Sequence, residues 1–523
     1  MDRIVAKEAF DAIVVGSGAA GSVIAATFAE AGKSVLILEA GAERKLTDLS
    51  SSQIWARKLK WGGDYVEEEG NFKIGHAFNS GFGTGGSAVH HFGVWPRLHE
   101  NDFSIATDYG RGLDWPIEYQ TLQPYYDRIQ DEVGLSGDTK AEKWRPPGKP
   151  YPMGPLPVFA QGHVLAKGFS ELGLTTAPIP MAINSREYKG RSACLYDGWC
   201  DAGCPIGALA NPLVTYLPRA IAAGGEIRHQ ATVARVKHNG DGRRATSVEY
   251  FDSQGTLREV AAKQVFLCAF AVQSARILLN SVSKKYNAGL SNSNDMVGRY
   301  LMTHPAQTVV GLMKDATQPH LGPTGGQLIC HDNYANKQQS KEAFGSFQWL
   351  IANAVKPNDL LGIANSRPDI IGAELDPFMR KAAKHFAIMN LVGEDIAQAE
   401  NRVTLSDKKD SHGIALARAF HGITDETKAM MTLAITQGKA VFEAAGAEEV
   451  WNGPSFGMHI MGGTVMGQSP KSSVTDSFGR CHELDNLFVA GTGVFPGSGA
   501  VNPTFTLHAL ALRTAEHALE LAY

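Results

Sequence analysis

Cysteine is scarce in this chain, six among 523 residues, too few for a disulfide framework to carry the fold. An excess of charge of either sign is missing too. The 49 basic and 53 acidic residues leave a formal net charge of −4, which argues against nucleic acid and against an anionic membrane surface as partners. Internal repeats and low-complexity tracts are absent, so a solenoid or array is excluded. The uncharged stretch from Ala12 to Phe28 is mostly Gly, Ala and Ser and reads better as a motif than as a membrane span. The opening MDRIVAKEAFDAIVVGSG leaves no room for a charged n-region, an apolar h-region and a cleavage site. The chain is therefore expected to be cytoplasmic by its own sequence, or periplasmic and membrane-associated if co-exported with a signal-bearing partner. What remains is a globular composition, 44% hydrophobic and 20% charged, in a chain long enough for two domains.

The strongest local signal is DAIVVGSGAAGSVIAATFAEAGKSVLILEAG, residues 11–41. Ala12 to Val15 reads as a short buried strand, and Gly16, Gly18 and Gly21 follow as G-x-G-x-x-G at a strand-to-helix turn. Gly16 makes the tight turn, Gly18 lets the backbone approach a pyrophosphate, and Gly21 lets helix and strand pack closely. The helix that follows, from about Ser22 to Glu30, points its N-terminal dipole at the phosphates, with Ala19 and Ala20 in the turn before it. Val35 to Leu38 forms a second strand ending in Glu39 and Ala40, where an acid reaches ribose hydroxyls. An acid there selects FAD or NAD over NADP. The chain closes on another strand–turn–helix: Leu487 to Ala490, a Gly-rich turn beginning at Gly491, and an amphipathic helix from about Thr504. A phosphate motif at each end predicts a cofactor domain assembled from both termini.

Between the ends, TVARVKHNGDGRRATSVEYFDSQGTLREVAAKQVFLCAF alternates apolar and polar around two turns and predicts a three-stranded meander. PAQTVVGLM, GSFQWLIANAV and AKHFAIMNLVGED predict strands of an antiparallel sheet walling a substrate site, to which 357–369 is expected to contribute. Residues 425–446 have helical spacing with Gly446 as the stop. Pro116 and Pro124 each punctuate a helix start.

Half of the cysteines, Cys194, Cys200 and Cys204, fall within eleven residues as C-x5-C-x3-C followed by Pro205. A disulfide would strand one thiol. Structural zinc needs a fourth ligand, for which Asp201 is the nearest candidate. An iron–sulfur cluster with one thiolate per iron needs only three, and Cys-plus-Pro loops of this kind wrap such clusters. The bland alternative is three thiols packed as small hydrophobes.

Several ordered motifs together resemble the glucose–methanol–choline (GMC) family of FAD oxidoreductases. They are the N-terminal motif, GTGGSAVHHFGVWPR at 83–97, LDWPIEYQTLQPYYDRIQDEVGLSG at 113–137, VFLCAFAVQSARILLNS at 265–281, MVGRYLMTHP at 296–305, ENRVTL at 400–405, HIMGGTVMG at 459–467 and VNPTFTLHALALR at 501–513. Within the family the chain is most similar to the catalytic subunits of bacterial sugar dehydrogenases of the glucose, fructose, gluconate or sorbitol type. The resemblance implies an α/β fold: a Rossmann-like FAD-binding domain of residues 1–45, 71–110, 186–300 and 452–523, plus an antiparallel β-sheet substrate domain of residues 46–70, 111–185 and 301–451. It implies His459 and Asn502 as the catalytic pair, an imidazole to take the hydroxyl proton and an amide to hold the same oxygen. It places Gly85, Gly86, Ser87 and His90 beside the flavin, Val233 at the adenine, and Gly491, Asn502, Pro503 and Thr504 around the closing turn. His304 is read as structural. Non-covalent FAD is expected, with a covalent link through His90 as the alternative. The family often has an acid after the last strand, where this chain reads VAGTGVFP.

The resemblance further implies a [3Fe–4S] cluster on Cys194, Cys200 and Cys204, a small escort subunit and a haem-bearing cytochrome acceptor. The expected activity is oxidation of a sugar or polyol hydroxyl to a carbonyl by hydride transfer to flavin N5. An O2-using oxidase, including one acting on the 3-hydroxyl of a glycoside, and a flavin-bearing lyase are the rival readings.

Overall fold

A computed structural model describes residues 8–60 and 65–521. Residues 1–7, on which part of the export reading rests, and residues 61–64 and 522–523, which belong to expected domain segments, lie outside the described residues.

The N-terminal signals fold as their spacing demands. Strand β1 (Ala9–Val15) leads through the Gly turn into the helix Ala19–Glu30 and on to β2 (Val35–Leu38). β1 pairs in parallel with β2 on one side and with β8 (Leu257–Leu267) on the other. β5 (Glu226–Arg228) extends the sheet beyond β2, and β16 (Leu487–Val489) pairs in parallel with the end of β8. Strands from both chain ends thus share one seven-stranded sheet. Ile13, Val14, Leu36, Ile37, Phe266 and Leu267 are fully buried, because helices cover both faces of such a parallel core. The predicted meander is β6 (Thr232–His238), β7 (Ala245–Phe251) and the first half of β8, all antiparallel.

The second sheet has six strands in the order β15 (Ala447–Met461), β9 (Met302–Met313), β12 (Phe386–Gly393), β11 (Phe347–Ile351), β10 (Leu328–Cys330) and β4 (Ala177–Pro178). Every pairing in it is antiparallel. Alternation along these strands separates two faces. Phe347, Trp349 and Ile351 of β11 and Ala387, Met389 and Leu391 of β12 share a core with Met430, Ala434 and Val441 of the helix Asp425–Ala444. Leu350 and Asn390 point the other way, toward the cavity described below. The helix Asp425–Ala444 starts where the Thr424 hydroxyl accepts the Thr427 N–H at 3.1 Å, and Gly446 follows its end with φ of 83°.

A third sheet joins β13 (Arg402–Lys409) and β14 (Ala415–Phe420) to β3 (Glu67–Glu69), a pairing that the sequence did not signal. Two expectations need correction. Pro124 lies inside the helix Tyr119–Val133 rather than at its start. The 357–369 segment forms the mostly exposed helix Pro357–Ala364, and none of it lines the cavity; the wall is made by strands instead. Among the described residues no helix is long and apolar enough to cross a membrane.

Candidate active site

A cavity of about 310 Å³ opens between the two large sheets. One side is the Gly turn. A Cβ on Gly16, where φ is 99°, would lie 2.6 Å from the Cys268 carbonyl oxygen, and a Cβ on Gly21 would lie 2.0 Å from the Gly16 oxygen. Neither position admits a side chain. Gly16, Gly18, Ala19, Ala20, Glu39 and Ala40 line the cavity. Gly21 does not, because it faces the strand and sets the helix against it.

Glu39 is held by four donors. Its Oε2 accepts from the Ser17 N–H at 3.0 Å and the Ser17 hydroxyl at 2.6 Å; its Oε1 accepts from the N–H of Gly41 at 2.9 Å and of Gly83 at 3.2 Å. The carboxylate is thereby fixed at the end of β2, at the cavity edge. Gly86, Ser87 and His90 of the following loop also line the cavity. Gly85 sits one layer behind, its N–H donating to the Ser17 hydroxyl at 3.0 Å. Val233 on β6, Gly491 after β16, and Pro503 and Thr504 at the start of the helix Thr504–Glu520 complete that end.

The other side carries the pair. His459 sits near the end of β15, where the pairing with β9 slips by one residue between Met458 and Met461. His459 has φ of 59°, a conformation costing a non-Gly residue roughly 1–3 kcal/mol. Bulges of this kind re-aim side chains, and here the imidazole edge faces the cavity. Its Nε2 is 3.2 Å from Asn502 Nδ2, and its Nδ1 is 2.9 Å from His304 Nδ1. Residues 43 apart in sequence are thus neighbours. Burial, reinforced by His304, pushes the His459 pKa well below the usual histidine range. The imidazole is therefore neutral at ordinary pH.

The residues fit the dinucleotide. Gly16 and Gly21 admit no Cβ, so strand and helix close tightly at the turn, Gly18 borders the cavity, and Glu39 holds a carboxylate at its edge. Two buried polar atoms, His90 Nε2 and Gln273 Nε2, lack a hydrogen-bond partner on residues that line the cavity. Burial, and then Lys60, lower the His90 pKa to about 3, so this ring is neutral as well. His91 is tied to backbone through Ala210 O at 2.7 Å.

The cysteine loop packs against Leu49 and the 83–97 loop: a Cβ on Gly203 would meet Leu49 and Val89 at 3.0 Å. The Cys194 sulfur accepts the Tyr196 N–H at 3.3 Å, and the Cys204 sulfur accepts the Leu209 N–H at 3.4 Å. All three thiols are free. Asp201, the candidate fourth ligand for zinc, pairs with Lys60 at 2.8 Å and lies 3.7 Å from Lys356. Burial would raise its pKa, but these two lysines hold it below the usual carboxylate value. Among the described residues no set of three or more His, Cys, Asp or Glu side chains is arranged to hold a metal ion.

Two residues here escaped the sequence reading. His304, read as structural, touches His459. Gln348, on β11, donates from Nε2 to Asn502 Oδ1 at 3.2 Å. The available signal was an amide inside the otherwise apolar FQWLI.

Comparison with known proteins finds two sequence models described as GMC oxidoreductase, matching residues 10–306 and 397–511. The chain is similar to the fructose dehydrogenase large subunit of Gluconobacter japonicus, 28% identical with 97% of each chain covered. It is also similar to a 2-methyl-1,2-propanediol dehydrogenase of Mycolicibacterium austroafricanum, 30% identical over 97% of this chain and 94% of the relative. Among solved structures, pyridoxine 4-oxidase from Mesorbium loti shares the fold, with TM-score 0.65, 19% identity, and 98% of this chain and 100% of that one covered.

Proposed function

The chain belongs to the GMC oxidoreductase family, FAD enzymes acting on CH–OH donors, and from that premise we propose that it is a dehydrogenase oxidising a sugar or polyol hydroxyl to a carbonyl. The observation that carries this reading is the His459–Asn502 pair, 3.2 Å apart on the wall of the cavity that also exposes the Gly turn and Glu39. Dehydrogenase relatives matched over nearly their whole length add support for a small hydroxylated substrate.

In this reading His459 takes the hydroxyl proton at Nε2, and the Asn502 amide donates to the same oxygen as its charge develops. A neutral His459 has a lone pair to offer at that nitrogen, which the Asn502 amide occupies at 3.2 Å and a substrate hydroxyl would take over. Bound FAD supplies the two-electron acceptor for the hydride leaving the carbinol carbon. Glu39 would hold the ribose, and the helix that starts at Ala19 the pyrophosphate. Gly86, Ser87, His90, Gly491, Pro503 and Thr504 would flank the rest of the cofactor, with Val233 at the adenine. FAD is proposed to be non-covalent, so acid precipitation should release it. The division into a discontinuous cofactor domain and a substrate domain, with the boundaries given above, is part of the same proposal.

Cys194, Cys200 and Cys204 would hold a [3Fe–4S] cluster, whose chemistry is one-electron transfer. The spacing and the N–H groups directed at the Cys194 and Cys204 sulfurs support this, against burial that raises all three thiols. An escort subunit and a haem-bearing acceptor complete the proposal.

The test is anaerobic. D-fructose, D-gluconate or 2-methyl-1,2-propanediol is added to the purified flavoprotein under nitrogen. Loss of flavin colour, followed by slow recovery in air without added dye, is expected. Fast recovery in air would make the protein an oxidase, and bound flavin that no alcohol bleaches would favour a lyase. Iron analysis with an EPR spectrum of the oxidised protein tests the cluster.

A further inference from the structure

The pair at the cavity wall belongs to a longer buried chain of polar groups. His304 Nε2 lies 3.0 Å from the Gly499 carbonyl oxygen and 3.2 Å from that of Ser498. Carbonyl oxygens only accept, so His304 Nε2 carries a proton. Burial lowers the His304 pKa to about 4, so the ring is neutral and its Nδ1 is bare. His459 Nδ1, 2.9 Å away, must then be the donor. A neutral His459 with its proton on Nδ1 has its lone pair on Nε2, the nitrogen facing Asn502.

The other side is consistent with this. His331 Nε2 is 2.9 Å from Gln348 Oε1, Gln348 Nε2 is 3.2 Å from Asn502 Oδ1, and Asn502 Nδ2 is 3.2 Å from His459 Nε2. The bare His331 Nδ1 accepts from His99 Nε2 at 3.2 Å. From His99 through His331, Gln348, Asn502, His459 and His304 to two carbonyls, every link runs from donor to acceptor in one direction. Turning over the Asn502 amide would set oxygen against a bare nitrogen on one side and two amino groups against each other on the other. Gln348 and His304 are fully buried and His331 is 1% exposed, so water is not at hand to repair a broken link.

We propose that His304 and Gln348 are positioning residues for the reaction: the Ser498 and Gly499 carbonyls, acting through His304, fix the His459 tautomer with its lone pair on Nε2, and Gln348 fixes the amide face that Asn502 offers. The proposal rests on the reading of His459 as the base, but the tautomer is measurable without any reaction.

The test is the nitrogen NMR spectrum of the FAD-bound protein labelled with 15N-histidine, with the His459 signals identified by their loss in His459→Ala. A protonated Nδ1 and a bare Nε2 are expected; the reverse pattern overturns the proposal. Flavin reduction by the best of the three alcohols named above gives the second readout. His304→Leu should slow it about 100-fold with KM within about threefold. His304→Asn keeps an acceptor oxygen in the place of Nδ1 and should stay within about fivefold of the parent. Equal losses in two flavin-bound variants would leave His304 a mere filler. Should His304→Leu fail to fold, Gln348→Met against Gln348→Glu asks the same question of the other arm: losing the donor to Asn502 should cost about tenfold in both, and an undiminished rate in either contradicts the proposal. If no alcohol reduces the flavin, the assigned function fails, while the NMR spectrum still decides the tautomer.

Discussion

The cavity wall around His459 and the loop that carries Cys194, Cys200 and Cys204 hold their polar atoms in contrasting ways. At the wall each side chain is fixed by another: His459 by His304, Asn502 by Gln348, Gln348 by His331. The side-chain geometry of the wall is set by the chain itself. In the thiol loop the sulfurs of Cys194 and Cys204 take only weak backbone donors. Tyr196 and Cys204 adopt left-handed backbone, with φ of 58° and 40°, and Leu195 and Ile206 face solvent, 68% and 37% exposed. The wall announces its role through distances, whereas the loop announces its role through composition. Substitutions in the two places should therefore fail in separable ways.

The largest effect is expected from neither region but from the cradle between them. Gly21→Val would push a side chain into the Gly16 carbonyl, and the protein should be isolated without flavin absorbance. Asn502→Ala should keep its flavin and its iron yet slow flavin reduction by about 100-fold. Cys200→Ser should do the converse, losing iron while flavin reduction by the alcohol stays within about threefold. An effect of Cys200→Ser on flavin reduction as large as that of Asn502→Ala would erase the contrast.

The mildest effect is that of pH. Burial lowers His304, His331, His91 and His508 to about 4. A histidine depressed in the folded state contributes stability that is complete above its unfolded value near 6.5 and is lost as pH falls toward the folded value. The urea midpoint should hold level above pH 6.5 and drop by about 1 M by pH 4.5. His459 is depressed in the same sense, so the rate of flavin reduction should be flat above pH 6.5, with any acid limb below it. An acid limb centred at or above 6.5 would mean that the wall is wetter than its packing implies.

Much of this was legible beforehand because it depends on local spacing. Gly16, Gly18 and Gly21, the strand into Glu39, the meander and the helix stop at Gly446 follow from backbone rules that act within a few residues. The His459–Asn502 pairing was legible through motif resemblance alone, since nothing local brings together residues from a strand end and a helix start. The contact of His304 with His459 was out of reach because it depends on the β9–β15 register, which sets His304 opposite Met458. Gln348 needed the strand's facing: alternation puts Trp349 against the helix Asp425–Ala444 and Gln348 toward the site, and only tertiary packing decides which face is which. The 357–369 helix was assigned to the wall for want of the same knowledge.

The central claim is that an imidazole at 459 deprotonates an alcohol whose hydride goes to FAD. Stopped-flow flavin reduction under nitrogen, comparing the parent protein with His459→Ala at equal flavin content, tests it directly. The expected result is a fall in rate of about 1000-fold with flavin still bound; reduction at the parental rate would contradict the claim.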